Sequence, residues 1–403
     1  MKILVVNCGS SSLKFQLYDM ENNKVLAKGR CDQVGLSTSY LIYKALDKDI
    51  NYEKNMSIPT HKEGMEIILK TLTDKVEGVI DSLEEINAVG HRIVHGGEKF
   101  SKAVVVDEDV IAEIDRLSAL APLHNPGSIM GIKAVMEVLP NVVNAVVFDT
   151  AFHQTIPEEN YRYAIKQEYY EKYGMRKYGF HGTSYMYILD RLTKSLNKPK
   201  EDINAIICHL GSGASICAIK DGKSYDTSMG FTPLQGLIME TRCGDIDPTV
   251  VSTLMEKEKL TPNEVSTILN KESGRLGFCS IGDYRQTCNA ADKGNELAEL
   301  VLKMQHNSSK KYVGAYMAML NRVDAIVFTG GIGENNAIER TGILNNMEYL
   351  GVEIDNDKNL QSFKNEAVIS TDESKIKVLV IPTDEEFEIA KQTKQVYYDV
   401  ISK

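Results

Sequence analysis

Two stretches of this 403-residue chain read as copies of each other. NCGSSSLKFQLYD (Asn7–Asp19) and HLGSGASICAIKD (His209–Asp221) align without gaps. Each follows an apolar run, passes a polar residue and a Gly-Ser step, turns on small residues, and runs through a second apolar stretch to an Asp. The offset is about half the chain, so the sequence predicts two related halves, each opening with the same β-turn-β unit. Most hairpins turn in two residues such as Asn-Gly. The first copy instead spends three serines on its turn and adds Lys14 among positions that read as buried.

The rest of the pattern is α/β. Short apolar strands are expected at Ile3–Val6, Leu13–Leu17, Val143–Phe148, Ala205–Cys208, Ser215–Ile219, Ala325–Phe328 and Val378–Ile381, alternating with longer helical patterns. Ile111, Ile114 and Leu117 keep helical spacing after the acidic Asp107-Glu108-Asp109, and Met130, Ala134 and Val138 do so after Pro126-Gly127. Thr261-Pro262-Asn263-Glu264 is a capping box with proline at the first helical position, and Asp247-Pro248 starts another helix through Met255.

A third glycine-rich turn, FTGGIGEN (Phe328–Asn335), follows the strand at Ala325–Phe328. Glycine lets the backbone approach a ligand and aim consecutive N–H groups at it, while serine and threonine add donors. Three such turns at strand ends suit a polyphosphate held without a large positive patch. The patch is indeed excluded: a net charge of −10 and a pI near 5.4 argue against a nucleic-acid or anionic-membrane surface. Other phosphate motifs fail. Gly222-Lys223-Ser224 resembles the end of a P-loop, but Cys217 stands where its first glycine is required, and neither Gly211-Ser212-Gly213 nor Gly331-Ile332-Gly333 has the third glycine of a dinucleotide fingerprint. The seven cysteines are odd in number and form no C-x-x-C, which reads as free thiols in a reducing compartment. No signal peptide and no apolar stretch of membrane-spanning length is evident, so a soluble, cytoplasmic protein is expected.

Charged residues gather at loops. GHRIVHGGEKF places Arg92 at a strand end beside Gly96-Gly97, and METRCGDIDP puts Arg242 in a loop before a helix. Arginine's planar fork suits carboxylate and phosphate, so a shared anionic site is expected. APLHNPG and KYGFHGTS each carry a histidine, His124 and His181, beside a helix start, where imidazole and backbone donors favour phosphoryl oxygens. VVFDTAFH ends a strand with Asp149, and VIPTDEEFEIA ends another with Asp384, Glu385 and Glu386. A carboxylate there is where a magnesium ligand or base belongs; Asp384 or Glu386 is expected to decorate the helix start and Glu385 to be functional. There is no HExxH, no paired Cys/His spacing, no G-x-S-x-G elbow, and no base paired with Ser10–Ser12.

In order along the chain, NCGSSSLK, HRIVHGGE, PLHNP, FDTAFH, YGFHGTS, HLGSGAS, DTSMGFTPLQG, TRCGDIDP, FTGGIGEN and PTDEE closely resemble the acetokinase (acetate kinase) family of the acetate and sugar kinase/Hsp70/actin superfamily. The resemblance covers almost the whole chain and implies two duplicated domains of the ribonuclease H-like, actin-like ATPase type (βββαβαβα). It implies an N-terminal domain, 1–150 completed by a returning helix 386–403, a second domain 151–385, and an active site in the cleft between them. It further implies a homodimer and Mg²⁺-dependent, direct in-line transfer between ATP and acetate, giving ADP and acetyl phosphate, with Mn²⁺ as an alternative metal. By motif, Asn7 and Glu385 would bind the metal and Asp149 would be an essential acid. Arg92 would orient the carboxylate, Arg242 and His181 would stabilise the transferring group, and His124 would support them. Ser10, Ser12 and Lys14 match the first phosphate loop and His209, Leu210, Gly211, Ser212 and Gly213 the second. Asp283, Tyr284 and Arg285 with Gly331, Ile332, Gly333, Glu334 and Asn335 would hold adenosine. Val94, Leu123, Phe180 and Pro233 would enclose the acyl methyl.

Two positions depart from the family pattern: Ser212 stands where Asn is common, and Gly282-Asp283-Tyr284-Arg285 replaces Ser-Asp-Phe-Arg. The nearest alternative is a propionate kinase, one methylene away, and the bulk of Val94 favours acetate. The alternative from another class, a nucleotide-binding conformational module, needs no carboxylate clamp and so leaves Arg92, Arg242 and His181 without a purpose.

Overall fold

The computed structural model describes residues 1–122 and 124–402. The chain divides into a first unit, Met1–Phe152 with Asp384–Lys403, and a second, His153–Thr383.

The first unit is built on an eight-stranded mixed sheet. Its strands are β1 (Lys2–Cys8), β2 (Ser12–Asp19), β3 (Lys24–Asp32), β4 (Tyr40–Ala45), β5 (Ile50–Asn55), β6 (Ile86–Ile93), β7 (Val104–Val105) and β8 (Val143–Phe148), in the order β5-β4-β3-β2-β1-β6-β8-β7. β1 runs antiparallel to β2 and parallel to β6, which is parallel to β8. The apolar run of β1 is continuous because both its faces are covered. Leu4, Val6 and Cys8 join a core with helices α1 (His61–Leu72) and Val135 of α3 (Asn125–Val138), while Ile3 and Val5 join a second core with Ile389 and Ala390. Between β7 and α3 lies α2 (Glu108–Arg116), capped by Asp107, whose carboxylate accepts from the Val110 N–H at 2.7 Å. The helical spacing expected to run on through Leu117 tightens there into a 3₁₀ turn, Leu117–Ala119.

The second unit carries a six-stranded sheet of β9 (Ala205–Leu210), β10 (Ala214–Lys220), β11 (Lys223–Thr227), β12 (Ala325–Thr329), β13 (Ala367–Val368) and β14 (Lys377–Val380), ordered β11-β10-β9-β12-β14-β13. Its helices include α4 (Gly182–Leu196), α5 (Thr249–Glu258), α6 (Pro262–Lys271), α7 (Gly274–Cys279), α8 (Tyr284–Asp292), α9 (Glu296–Leu320), α10 (Gly330–Asn335) and α11 (Ala337–Leu344). The capping box expected at Thr261 is reciprocal: its hydroxyl accepts from Glu264 N–H, and the Glu264 carboxylate accepts from Thr261 N–H at 2.7 Å. β9 repeats the surroundings of β1, antiparallel to β10 and parallel to β12, which is parallel to β14. The two sheets therefore share one order, three antiparallel strands followed by two parallel ones, and the α/β duplication expected from the echo is present. β4 and β5 extend only the first sheet, and the sequence reading missed them. The glycine-rich turn expected at FTGGIGEN is itself helical over Gly330–Asn335. Gly330, at φ +76°, makes the corner, where a Cβ would meet the Leu210 backbone at 2.8 Å.

Candidate active site

In the first unit, strand alternation assembles the polar groups. Positions 3, 5 and 7 of β1, 88, 90 and 92 of β6, and 145, 147 and 149 in and after β8 point to one face, because side chains alternate with a period of two. The N-terminal ends of these rows bury Ile3, Val5, Ala88 and Val147 against the C-terminal helix Glu385–Ile401. Their C-terminal ends present Asn7, Arg92 and Asp149, at the carboxyl edge where parallel sheets place ligands. Arg92 forks onto Asp149, with Nε donating to Oδ1 at 3.1 Å and Nη2 to Oδ2 at 2.8 Å. Asp149 is buried, and a Glu385 oxygen lies 3.8 Å from Arg92 Nη2. Burial works against the guanidinium charge, but Asp149, Glu385 and Glu386 outweigh it and hold Arg92 above its ordinary value. Glu386 is pushed up, first by burial and then by Glu385. Asp384 takes the capping role and accepts from Phe387 N–H at 2.9 Å.

The first turn, Gly9–Ser11, is held from behind. His61 Nε2 donates to Gly9 O at 2.8 Å, and α3 approaches so closely that a Cβ at Gly127 would meet Gly9 C at 2.8 Å. Ser10 is exposed and Ser12 half-buried. Lys14 corrects the expectation of a buried lysine: it alternates away from buried Leu13 and Phe15 and is exposed beside a groove it shares with Asn7 and Glu386. His124 precedes α3 at its N-cap position, and half-buried Val94 follows β6. Leu123 lies outside the described residues.

The second unit gathers a different set around the second turn, Gly211–Gly213. His181 is the N-cap of α4 at φ 61°, a left-handed conformation uncommon for a histidine. Its Nδ1 bonds the Ser215 hydroxyl at 2.8 Å, and its ring stacks on His209 at 4.2 Å between centroids. His209 Nδ1 meets the Ser184 hydroxyl at 2.8 Å, which in turn reaches Thr383 Oγ1 at 2.9 Å. Arg242 Nη1 donates to Pro233 O at 3.1 Å, and both Arg242 and His181 lie within 4 Å of the Cβ position of Gly213. No carboxylate pairs with Arg242 among the described residues, and burial pulls its guanidinium below the ordinary value. Ser212 is exposed at the tip of the turn. Phe180 is buried, and its carbonyl accepts from His153 Nε2 at 2.9 Å.

The expected adenosine segments are both in this unit. Asp283 caps α8 by accepting from Gln286 N–H at 2.9 Å, and Arg285 is exposed. Tyr284 between them is buried, and its hydroxyl donates to Glu339 at 2.6 Å. Glu334 accepts from Gly330 N–H at 2.8 Å and Thr383 N–H at 3.0 Å, which ties α10 to the PTDEE stretch.

Sequence reasoning missed several members of these networks. His153, Ser184, Ser215 and Thr383 orient the histidines or their loops, and each sits within or next to a quoted motif, so inspecting motif neighbours would have found them. Glu339 and Arg340 carry no such signal.

A family model described as "Acetokinase family" matches residues 2–391. An acetate kinase of Acetivibrio thermocellus is 53% identical over 395 residues, 98% of each chain. Among solved structures, Porphyromonas gingivalis acetate kinase superposes with a TM-score of 0.94 at 45% identity, over 98% of this chain and 99% of that one. A propionate kinase from Francisella tularensis gives 0.92 at 40% identity over the same shares. The ordered motifs, the two matching sheets and these full-length likenesses have one meaning: the chain belongs to the acetokinase family.

Proposed function

We propose that this carboxyl-acceptor phosphotransferase moves the γ-phosphoryl group of ATP to acetate, reversibly, giving ADP and acetyl phosphate by direct in-line transfer. The observation that carries the reading is Arg242. A desolvated guanidinium without a carboxylate partner among the described residues, beside a glycine turn and a histidine, is a preorganised site for developing negative charge. Such a transfer has a loose, highly charged transition state, so positioning and electrostatics supply most of the catalysis.

Arg92 orients the acceptor. Its Nε and Nη2 are committed to Asp149, so Asp149 sets the guanidinium plane and Nη1 is the edge offered to acetate. Val94, half-buried just after β6, is the residue proposed to meet the methyl group. Ser10, Ser12, Lys14 and the His209–Gly213 turn bind phosphates, and His181, with His124 in support, donates to the transferring group. Adenosine is held by Asp283, Arg285 and Gly331–Asn335.

A divalent cation fits the donor set of the first unit. Asn7 supplies an amide oxygen and Glu385 a carboxylate, the hard ligands that Mg²⁺ takes. The surplus of Asp149, Glu385 and Glu386 over the single Arg92 leaves acid that a cation would neutralise. Asn7 and Glu385 would hold it, and when bound it would screen the phosphate charges.

The same reading includes a cytoplasmic homodimer. Phe278 of α7 and Leu297, Leu300 and Met304 of α9 are exposed apolar side chains on the second unit, and analytical ultracentrifugation tests whether they are covered. No helix among the described residues is long and apolar enough to cross a membrane.

The deciding experiment traps acetyl phosphate as its hydroxamate and compares kcat/KM for acetate and propionate. Acetate is expected to be preferred, by a margin bounded by the ~1–3 kcal/mol of one methylene. Val94→Ala should move the ratio toward propionate. A wild-type preference for propionate overturns the acetate assignment, and ATP turnover indifferent to added carboxylate overturns the kinase reading.

A further inference from the structure

Glu339 and Arg340 are consecutive residues of α11, and both are buried, at 0% and 1% exposure. Each reaches different neighbouring helices. The Glu339 carboxylate accepts from Tyr284 Oη at 2.6 Å, Gln305 Nε2 at 2.8 Å and His306 Nε2 at 3.0 Å. The Arg340 guanidinium donates from Nη1 to Gly333 O at 2.8 Å and Glu334 O at 3.1 Å, and from Nε and Nη2 to Asn359 Oδ1 and O, both at 2.7 Å.

The first set anchors the start of α8. Arg275 completes it, donating to Gly282 O at 3.0 Å and Gln305 Oε1 at 2.7 Å, so Gly282 and Tyr284 are both fixed to the interior while Asp283 and Arg285 stay exposed. The second set anchors α10. Its Gly333 and Glu334 carbonyls come at the end of a six-residue helix, where no further turn satisfies them, and a cation suits that end. A glutamate and an arginine taken this far out of water cost free energy that a plain apolar contact would not. What they provide instead is direction: several hydrogen bonds per group from one helix, through side chains to the start of α8 and to α9 on one side, and to the backbone of α10 and to Asn359 on the other.

We propose that Glu339 and Arg340 are positioning residues for the nucleotide. α11 is a brace that sets the separation between Asp283–Arg285 and Gly331–Asn335, and it acts through Tyr284 on one side and the Gly333 and Glu334 carbonyls on the other. This rests on the reading that those two segments hold adenosine. A shift of either segment moves donors and apolar contacts off a ligand that must touch both, so the brace governs nucleotide affinity while the acceptor site is untouched.

The test is steady-state kinetics on the full-length enzyme with ATP and acetate varied separately, for Tyr284→Phe, Glu339→Gln and Arg340→Lys, with thermal unfolding measured alongside. Removing a buried bond to a charged group should raise the KM for ATP about ten-fold. The KM for acetate and kcat should stay within about two-fold of wild type, since those sites are separate. Tyr284→Phe combined with Glu339→Gln should raise the KM for ATP no further than either alone, because both cut the same link. Residues that only stabilise the core would lower Tm without splitting the two KM values, and that result overturns the proposal. Arg285→Ala separates the two ways of failing. If it raises the KM for ATP and the brace variants do not, the brace is wrong. If neither it nor the brace variants do, the adenosine reading is wrong and the brace falls with it. Should Glu339→Gln or Arg340→Lys fail to fold, Tyr284→Phe, which loses one hydroxyl, decides alone.

Discussion

The two copies of the β-turn-β unit share a backbone and differ in what surrounds them. Gly9–Ser11 and Gly211–Gly213 are turns of equal length, each between a strand that pairs antiparallel on one side and parallel on the other. Yet the arginine of the first unit is forked onto a buried aspartate, whereas the arginine of the second has no carboxylate partner among the described residues. A paired guanidinium is held in place and offers one edge; an unpaired one keeps its charge for a ligand. Duplication supplied the frame, and divergence around it paired one arginine; in the proposed function the paired one positions the acceptor and the other stabilises transferred charge.

The largest effect that tests this contrast is Arg242→Ala, expected to lower kcat by on the order of 10³ with Tm little changed, since it loses one bond to the Pro233 carbonyl and strands no buried carboxylate. Near-normal turnover in the folded variant would break the comparison. Arg92→Ala should behave differently. It leaves Asp149 buried without its fork, so unfolding free energy should drop by about 3 kcal/mol, together with a higher KM for acetate. Chemical denaturation of the two variants side by side shows whether the arginines differ as described.

Acid should separate the units next. Burial pushes His91, His95 and His153 down to about 4 from 6.5. Between those values the unfolded chain binds protons that the folded chain refuses, so stability is complete above pH 6.5 and falls as the pH drops toward 4. The slope is about 1.4 kcal/mol per pH unit for each histidine. Two of the three are in the first unit, so hydrogen exchange at pH 5 should rise more there than in the second. The smallest effect is expected from Ser212→Asn, which restores the residue common in the family at an exposed turn tip. A longer donor there should change the KM for ATP by no more than about five-fold, less than a full hydrogen bond to a charged group; a larger change would mean that Ser212 is specifically fitted to this turn.

The sequence by itself determined the duplication, the α/β class and the polar residues at strand ends. These are carried by local signals: the continuous apolar runs of β1 and β9, the capping box at Thr261, and Gly-Ser steps at fixed distances from apolar runs. The ordered motifs then identified the family. Alternation also fixed which side chains share a face, and for that reason Asn7, Arg92 and Asp149 converge without any long-range information beyond the strand order.

What only the tertiary structure decided concerns partners. Both arginines stand close to a glycine in the sequence, and nothing in their flanking residues distinguishes the one paired with Asp149 from the one without a carboxylate partner among the described residues. Tyr284 stands between two exposed polar residues, and its burial follows from Glu339, 55 residues away in the chain. FTGGIGEN read as a glycine-rich turn, and its helical form follows from Arg340 and Glu334, which satisfy its end groups. Such choices depend on which distant group removes water from a charge or fills its hydrogen bonds. That free energy is set by three-dimensional neighbours and has no period along the chain.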